Sequence, residues 1–291
     1  MERTGNRKSC VMEQTKPPTH ERIIRPKKGF VAIDFGELWR YRELFVFLAW
    51  RDILVRYKQT AIGILWAAIQ PFLIMIVFTV IFGGLAKFPS NGVPYAVMTF
   101  SAVLPWQFFA NALSQGSNSV VGSAGMISKI YFPRLIVPGS ATLSGVVDFA
   151  ISLLMLFGLM AWYHVEFRLH LLLLPLFFML GFATAFGVSL WLSALNVKYR
   201  DVKYVVPFIV RMGMYISPVG FMSSVVPEKW QFLYSLNPMV GVIDGFRWCV
   251  LGAKFEPYWP GFWLSAAVVV IILVSGAYYF RFTEKTFADI I

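Results

Sequence analysis

The chain has 291 residues, of which 58% are hydrophobic and 14% charged, with a formal net charge of +11. A soluble domain carries roughly a quarter of its residues as charges, so these figures exclude an ordinary soluble protein and indicate an integral membrane protein with little soluble mass. The basic residues fall in the N-terminal segment and in short loops rather than on one folded face, which fits membrane topology and anionic lipid and argues against nucleic acid.

Residues 1–36 are polar, carry Pro17, Pro18 and Pro26, and hold twice as many basic as acidic side chains. No apolar core of signal-peptide type is present, and a disordered basic cytoplasmic tail is expected. Residues 37–58 read as an amphipathic interface helix. Leu38, Tyr41, Phe45 and Leu48 recur at spacings of three and four, while Phe47 and Trp50 interrupt the opposite face. Such aromatics settle at headgroup depth. The polar approach then runs directly into an uncharged stretch, since no charge appears from Thr60 to Ala86.

A span needs roughly 20 apolar residues. Six stretches qualify, at about 61–86, 94–115, 136–163, 171–195, 205–224 and 262–280. The second, with Pro105 and Gln107, and the fifth, with Arg211 and Pro218, are the weakest of the six. Loops with Lys and Arg set the orientation. With the N-terminus inside, the inner segments hold more than twice the basic residues of the outer ones, and both termini are cytoplasmic. Among the outer residues on this count are Lys87, Arg168, Lys229, Arg247 and Lys254. Residues 225–260 contain two half-apolar runs broken at Asn237-Pro238, each too short to span, so two small helices that dip into the outer leaflet and return are predicted. No internal repeat appears, which weighs against an inverted-repeat secondary transporter. Cys10 and Cys249 then lie on opposite sides of the membrane, so no internal disulfide is expected.

No catalytic motif emerges. The three histidines, His20, His164 and His170, form no metal spacing, no nucleophile elbow is present, and no phosphate-binding loop appears, so ATP hydrolysis is not expected on this chain. His164 and Arg168 either handle an outer-leaflet substrate or are solvated loop residues. The ionisable groups inside spans are Asp148 and Arg211, which either pair across the bundle or leave Arg211 reaching to the interface. Aromatic residues make up 17% of the chain. Trp66, Trp106, Phe109, Tyr215 and Phe221 are candidates to line a path for a sugar polymer, whose C–H faces stack on apolar planes. The inner loop Ser128, Lys129, Ile130, Tyr131, Phe132, Pro133, Arg134 places an aromatic pair between two cations. A solvated loop does not need that pattern, whereas a docking knob for a cytoplasmic partner does.

The blocks RDILVRYKQTAIGILWAAIQP, ISKIYFPRLIVP, NVKYRDV and SLNPM together resemble the permease subunit of type 2 ABC exporters of the polysaccharide-export branch, nearest to the O-antigen (Wzm-type) permeases. The resemblance covers about residues 37–287. It implies an all-α, six-span membrane domain over residues 37–291 in the bacterial inner membrane, working as a homodimer with two copies of a separate ATPase that holds ATP and Mg. It also implies a gate helix before the first span, with Arg51, Arg56, Tyr57 and Lys58 placed to meet a diphosphate or to anchor at headgroups. An inner loop at Ser128, Lys129, Tyr131, Phe132, Pro133 and Arg134 would dock the ATPase, and re-entrant helices would lie near the exit at residues 227–251. The implied substrate is a polysaccharide on undecaprenyl diphosphate. Teichoic acid or capsule export is the near alternative. A drug or lipid exporter, a membrane transferase and a non-transporting scaffold are the more distant ones.

Overall fold

The computed structural model describes residues 35–58, 64–90, 92–252 and 255–287. The expected disordered tail lies, up to residue 34, outside the described residues, as do the opening residues of the first predicted span. Every regular element among the described residues is helical.

Two segments precede the first long helix. α1 (Phe35–Arg40) and α2 (Arg42–Lys58) meet at a turn at Tyr41. The face predicted from the three-and-four spacing is the one that packs. Leu48 and Ala49 are buried, and Phe45 sits over Gly139, where an added Cβ would come within 3.1 Å of its ring. Trp39, Val46, Phe47 and Trp50 point outward on the other side.

α3 (Ile64–Phe78) runs on into a π-helical stretch, Thr79–Leu85. α4 (Tyr95–Gly122) is the central element. Most of its length is buried, and it packs against α3, α6, α7, α8, α9 and α11. The inner loop follows through the short α5 (Ala124–Ile127). α6 (Ile136–Ser144) and α7 (Val146–Trp162) form one long rod with a break at Gly145. α8 (Leu174–Lys198) packs on both α4 and the last long helix, α12 (Trp259–Thr283).

Small residues allow these close approaches, as they do where apolar solvent supplies no hydrophobic drive between helices. A Cβ at Gly276 would stand 2.4 Å from the Gly187 carbonyl oxygen, so α8 and α12 touch backbone to backbone. At the α4–α8 contact, Gly116 faces Ser189, whose hydroxyl donates to the Ala112 carbonyl at 3.3 Å. Asn196 donates to the Ser117 carbonyl at 2.9 Å and to Asn118 Oδ1 at 3.1 Å. Ser189 and Asn196 thus spend their buried polar groups on a neighbouring helix, while Ser140, Thr142 and Ser193 satisfy theirs on carbonyls of their own helix.

Among the described residues, five helical stretches are long and apolar enough to cross a membrane: Leu65–Leu85, Tyr95–Gly122, Ile136–Trp162, Leu169–Lys198 and Trp259–Thr286. The second carries Pro105 inside a continuous helix and extends past the predicted end. The fifth predicted span, 205–224, is not a full-length helix. α9 (Val202–Ile216) has 15 residues, a rise of about 22 Å at 1.5 Å per residue, short of the roughly 30 Å hydrocarbon core. It stops because Pro218 disfavours helical geometry at the residue before it, and Ser217 is extended at φ −79°, ψ 155°. Residues 217–222 then run without regular structure to a 3₁₀ turn at Ser223–Val225. Beyond it lie α10 (Glu228–Tyr234) and α11 (Pro238–Leu251). The break between them is set by Asn237, whose side chain caps α11 by accepting from the Met239 amide at 3.1 Å, with Pro238 at the first helical position.

Candidate functional site

Three regions concentrate polar and charged side chains, two of them around residues that the sequence singled out. The first is a cavity of about 610 Å³ between the end of α2, the first half of α3, the middle of α4 and the start of α7. Helical spacing brings its polar groups to one wall each. Gln107 and Asn111 are four apart on α4, Asp148 and Ser152 four apart on α7, and Trp66 and Gln70 four apart on α3. Leu104, Phe108 and Phe149 supply the apolar remainder.

At the mouth of this cavity, Arg56 forms an ion pair with Asp148 and the Tyr57 hydroxyl donates to the same carboxylate. Two adjacent residues at the end of α2 therefore grip one carboxylate near the start of α7. Partial burial, and next the hydrogen bond to Asp148, push the Tyr57 phenol up to about 12, so it remains a donor. Of the two alternatives that the sequence left open, this arrangement excludes the pairing of Asp148 with Arg211. Asp148 is already held by α2, while Arg211 is exposed on α9. Arg51 pairs instead with its neighbour Asp52 at 2.8 Å, and Lys58 is exposed.

The second region is the inner loop, and its residues divide. Ser128, Lys129, Ile130 and Tyr131 are exposed. Phe132 and Pro133 are buried, with Phe132 in a cluster containing Val120, Ile127, Leu190, Phe280 and Phe287. Arg134 is half-buried. It donates to the Glu284 carbonyl at the end of α12, and its guanidinium lies 6.0 Å from the Phe287 ring. Phe132 and Arg134 thus root the loop in the bundle, and Lys129, Ile130 and Tyr131 form its outward tip.

The third region was missed by the sequence reading, which counted Arg247 among loop cations. Arg247 on α11 is completely buried. It donates to the Phe221 carbonyl at 2.7 Å, the Val219 carbonyl at 3.0 Å and, more weakly, the Met98 carbonyl at 3.4 Å. The stretch it holds is the non-helical segment after α9. Neighbouring groups complete the set, because the Tyr95 hydroxyl donates to the Gly220 carbonyl and the Tyr234 hydroxyl to the Ile216 carbonyl at 2.8 Å. Irregular backbone is tolerated at membrane depth only where protein satisfies it, and one guanidinium with several fixed donors does much of that here. A signal was available in the sequence: Asp244 and Arg247, three residues apart, are the only charges in an otherwise apolar α11.

The five aromatic candidates do not converge within the chain. Trp66 opens onto the inner cavity. Trp106 is buried beneath Gly213 of α9 and lies 5.4 Å from Phe109. Tyr215 and Phe221 belong to a chain of rings with Phe78, Phe82 and Phe88 at centroid separations of 5.2–6.4 Å. Among the loop residues, Arg168 pairs with Glu166 at 2.8 Å and packs on Gly252, and His170 meets the Trp248 ring edge-on at 4.6 Å. Cys249 is a buried free thiol, and Cys10 lies outside the described residues. No cluster of three or more metal-ligating side chains occurs among the described residues.

Known proteins are similar to the chain in sequence. The O-antigen export system permease protein RfbA of Myxococcus xanthus is 24% identical over 255 residues, covering 87% of this chain and 97% of that protein. The protein of the same name from Klebsiella pneumoniae is 27% identical over 206 residues, 70% of this chain and 79% of that one. The polysialic acid transport protein KpsM of Escherichia coli is 22% identical over 231 residues, 79% and 89% respectively. The ABC-2 type transporter family matches residues 43–251, from the interface helix through α11. With more than two thirds of its length inside that match, the chain belongs to the ABC-2 type transporter membrane family.

Proposed function

We propose that the chain is the transmembrane subunit of an ATP-driven exporter that moves an undecaprenyl-diphosphate-linked polysaccharide, O-antigen, across the bacterial inner membrane. The observation that carries this reading is the end-to-end similarity to O-antigen export permeases, which reaches 97% of the Myxococcus protein's length. Capsular polysaccharide is the second reading, favoured by the similarity to KpsM.

On this reading the membrane is crossed six times with both termini cytoplasmic. The fifth crossing combines α9 with residues 217–222, and α10 and α11 re-enter from the outer side. The chain works as a homodimer. Its contact face is formed by α3 and α9, which expose Trp66, Leu73, Ile76, Val77, Phe208 and Tyr215. The ATP chemistry, with its Mg, belongs to two copies of a separate ATPase that dock on the tip at Lys129, Ile130 and Tyr131. At the gate, Arg51 and Lys58 meet the diphosphate first, and Arg56 exchanges Asp148 for phosphate oxygens. Charge-assisted Arg–phosphate bonds favour that exchange.

The test is affinity purification of the whole chain from its native membrane. Wild type is expected to bring down an ATPase. Replacing Lys129, Ile130 and Tyr131 together by alanine should abolish that capture while leaving the unfolding temperature unchanged, because these side chains are exposed. Capture that survives the triple substitution would show that the ATPase docks elsewhere. A wild type with no ATPase partner would contradict the exporter reading.

A further inference from the structure

A second cavity, of about 240 Å³, lies between α10, α11 and the start of α12, away from the inner cavity and the docking loop. At about 30 Å³ per water molecule it offers the space of about eight waters, enough for one pyranose ring. Its walls combine oxygen-bearing side chains (Ser223, Gln231, Asp244, Glu256) with the rings of Tyr234 and Tyr258. A few placed polar groups among aromatic walls is the usual make-up of a small-molecule site.

The group that points to a ligand is Asp244. It is only 5% exposed; Ser223 offers its carboxylate one side-chain hydrogen bond, and Oδ1 is left without a partner. A buried acceptor without a donor is costly, so this oxygen calls for a donor from outside the chain. Charge decides what kind. Arg247 stands one helical turn along α11, its N–H groups committed to the Val219, Phe221 and Met98 carbonyls. Its positive charge offsets that of Asp244, so the pair is close to neutral. A neutral hydroxyl suits that environment better than a metal ion, and no cluster of three metal-ligating side chains is found among the described residues.

We propose that this cavity binds a single sugar ring, with Asp244 Oδ1 accepting a hydrogen bond from a ring hydroxyl and Tyr258 lying against the C–H face. The inference rests on the export reading for the origin of the sugar, which would be a ring of the polymer on its way out. It makes the α10–α12 segment a binding surface.

The test is a saturation-transfer NMR titration of the full chain in lipid nanodiscs with the methyl glycosides of glucose, galactose, mannose and N-acetylglucosamine. At least one should bind saturably, with a Kd on the order of 1 mM. Tyr258→Ala and Asp244→Asn should each weaken that binding by about tenfold or more. Tyr258 is at the rim and 40% exposed, so its variant keeps the test valid even where Asp244→Asn fails to fold. No saturable binding up to roughly 50 mM, or binding indifferent to Tyr258→Ala, overturns the proposal. The export reading is scored separately by surface glycan in a strain lacking the gene. Lost export together with a protein that binds no glycoside overturns the sugar site alone. Normal export in that strain overturns the export reading, whatever the titration gives.

Discussion

Replacing Arg247 by methionine is expected to lower the stability of the solubilised chain by about 3–5 kcal/mol, the range for breaking a buried charge arrangement from one side. Methionine fills most of the volume of the arginine stem, so packing loss is small and the effect isolates the polar head. Two losses combine. The Val219 and Phe221 carbonyls lose their donors in a buried site, each at a cost of about 1–3 kcal/mol, and Asp244 loses the neighbouring positive charge. Arg247→Lys should fall between, because an ammonium retains the charge but lacks the planar fork that reaches two carbonyls at once. Thermal unfolding in a mild detergent provides the readout. A methionine variant within about 1 kcal/mol of wild type, the usual range of an ordinary single substitution, would mean that residues 217–222 are held by something other than this side chain.

The second large effect is expected at the inner cavity. A double-mutant cycle on Arg56→Met and Asp148→Leu should return a coupling of about 1–2 kcal/mol, with each single change costing about 1–3 kcal/mol. The side chains retain 28% and 15% of their exposure, so solvent screening keeps the value below that of a dry pair. Tyr57→Phe should cost about 1 kcal/mol, since it removes one hydrogen bond to the same carboxylate. A coupling of zero would show that α2 is fastened by its apolar face alone, through Phe45, Leu48 and Ala49. On the gating proposed above, the cycle measures the contact that a phosphate at Arg56 would displace.

How much of this was legible beforehand follows from the range of the forces involved. The helix over residues 42–58 was legible because its packed face repeats every three or four residues, and the break at Asn237-Pro238 because capping is local. The end of α9 was signalled by Pro218, yet the hydropathy of the following residues masked it. What restores that segment to the interior is hydrogen bonding from Arg247, Tyr95 and Tyr234, which lie up to about 125 residues away in the chain, and no short-range pattern encodes it. The partner of Asp148 was hidden for the same reason, being 92 positions distant. The inner loop at residues 128–134 was picked out by its composition. Which side chains face outward depended on where α12 ends, because Glu284 and Phe287 are what Arg134 and Phe132 pack against. The aromatic candidates were chosen by residue type, and type alone does not separate Trp106, buried under Gly213, from Trp66, open to a cavity.

The central claim is that this chain carries a finished, lipid-linked polysaccharide across the membrane. It is tested most directly by deleting the gene in its native host and following both pools of glycan. The account predicts that surface polysaccharide disappears while undecaprenyl-linked glycan accumulates on the cytoplasmic side, with both restored by the wild-type gene. Surface polysaccharide at its normal level, or a block in glycan synthesis with no accumulated intermediate, would contradict it.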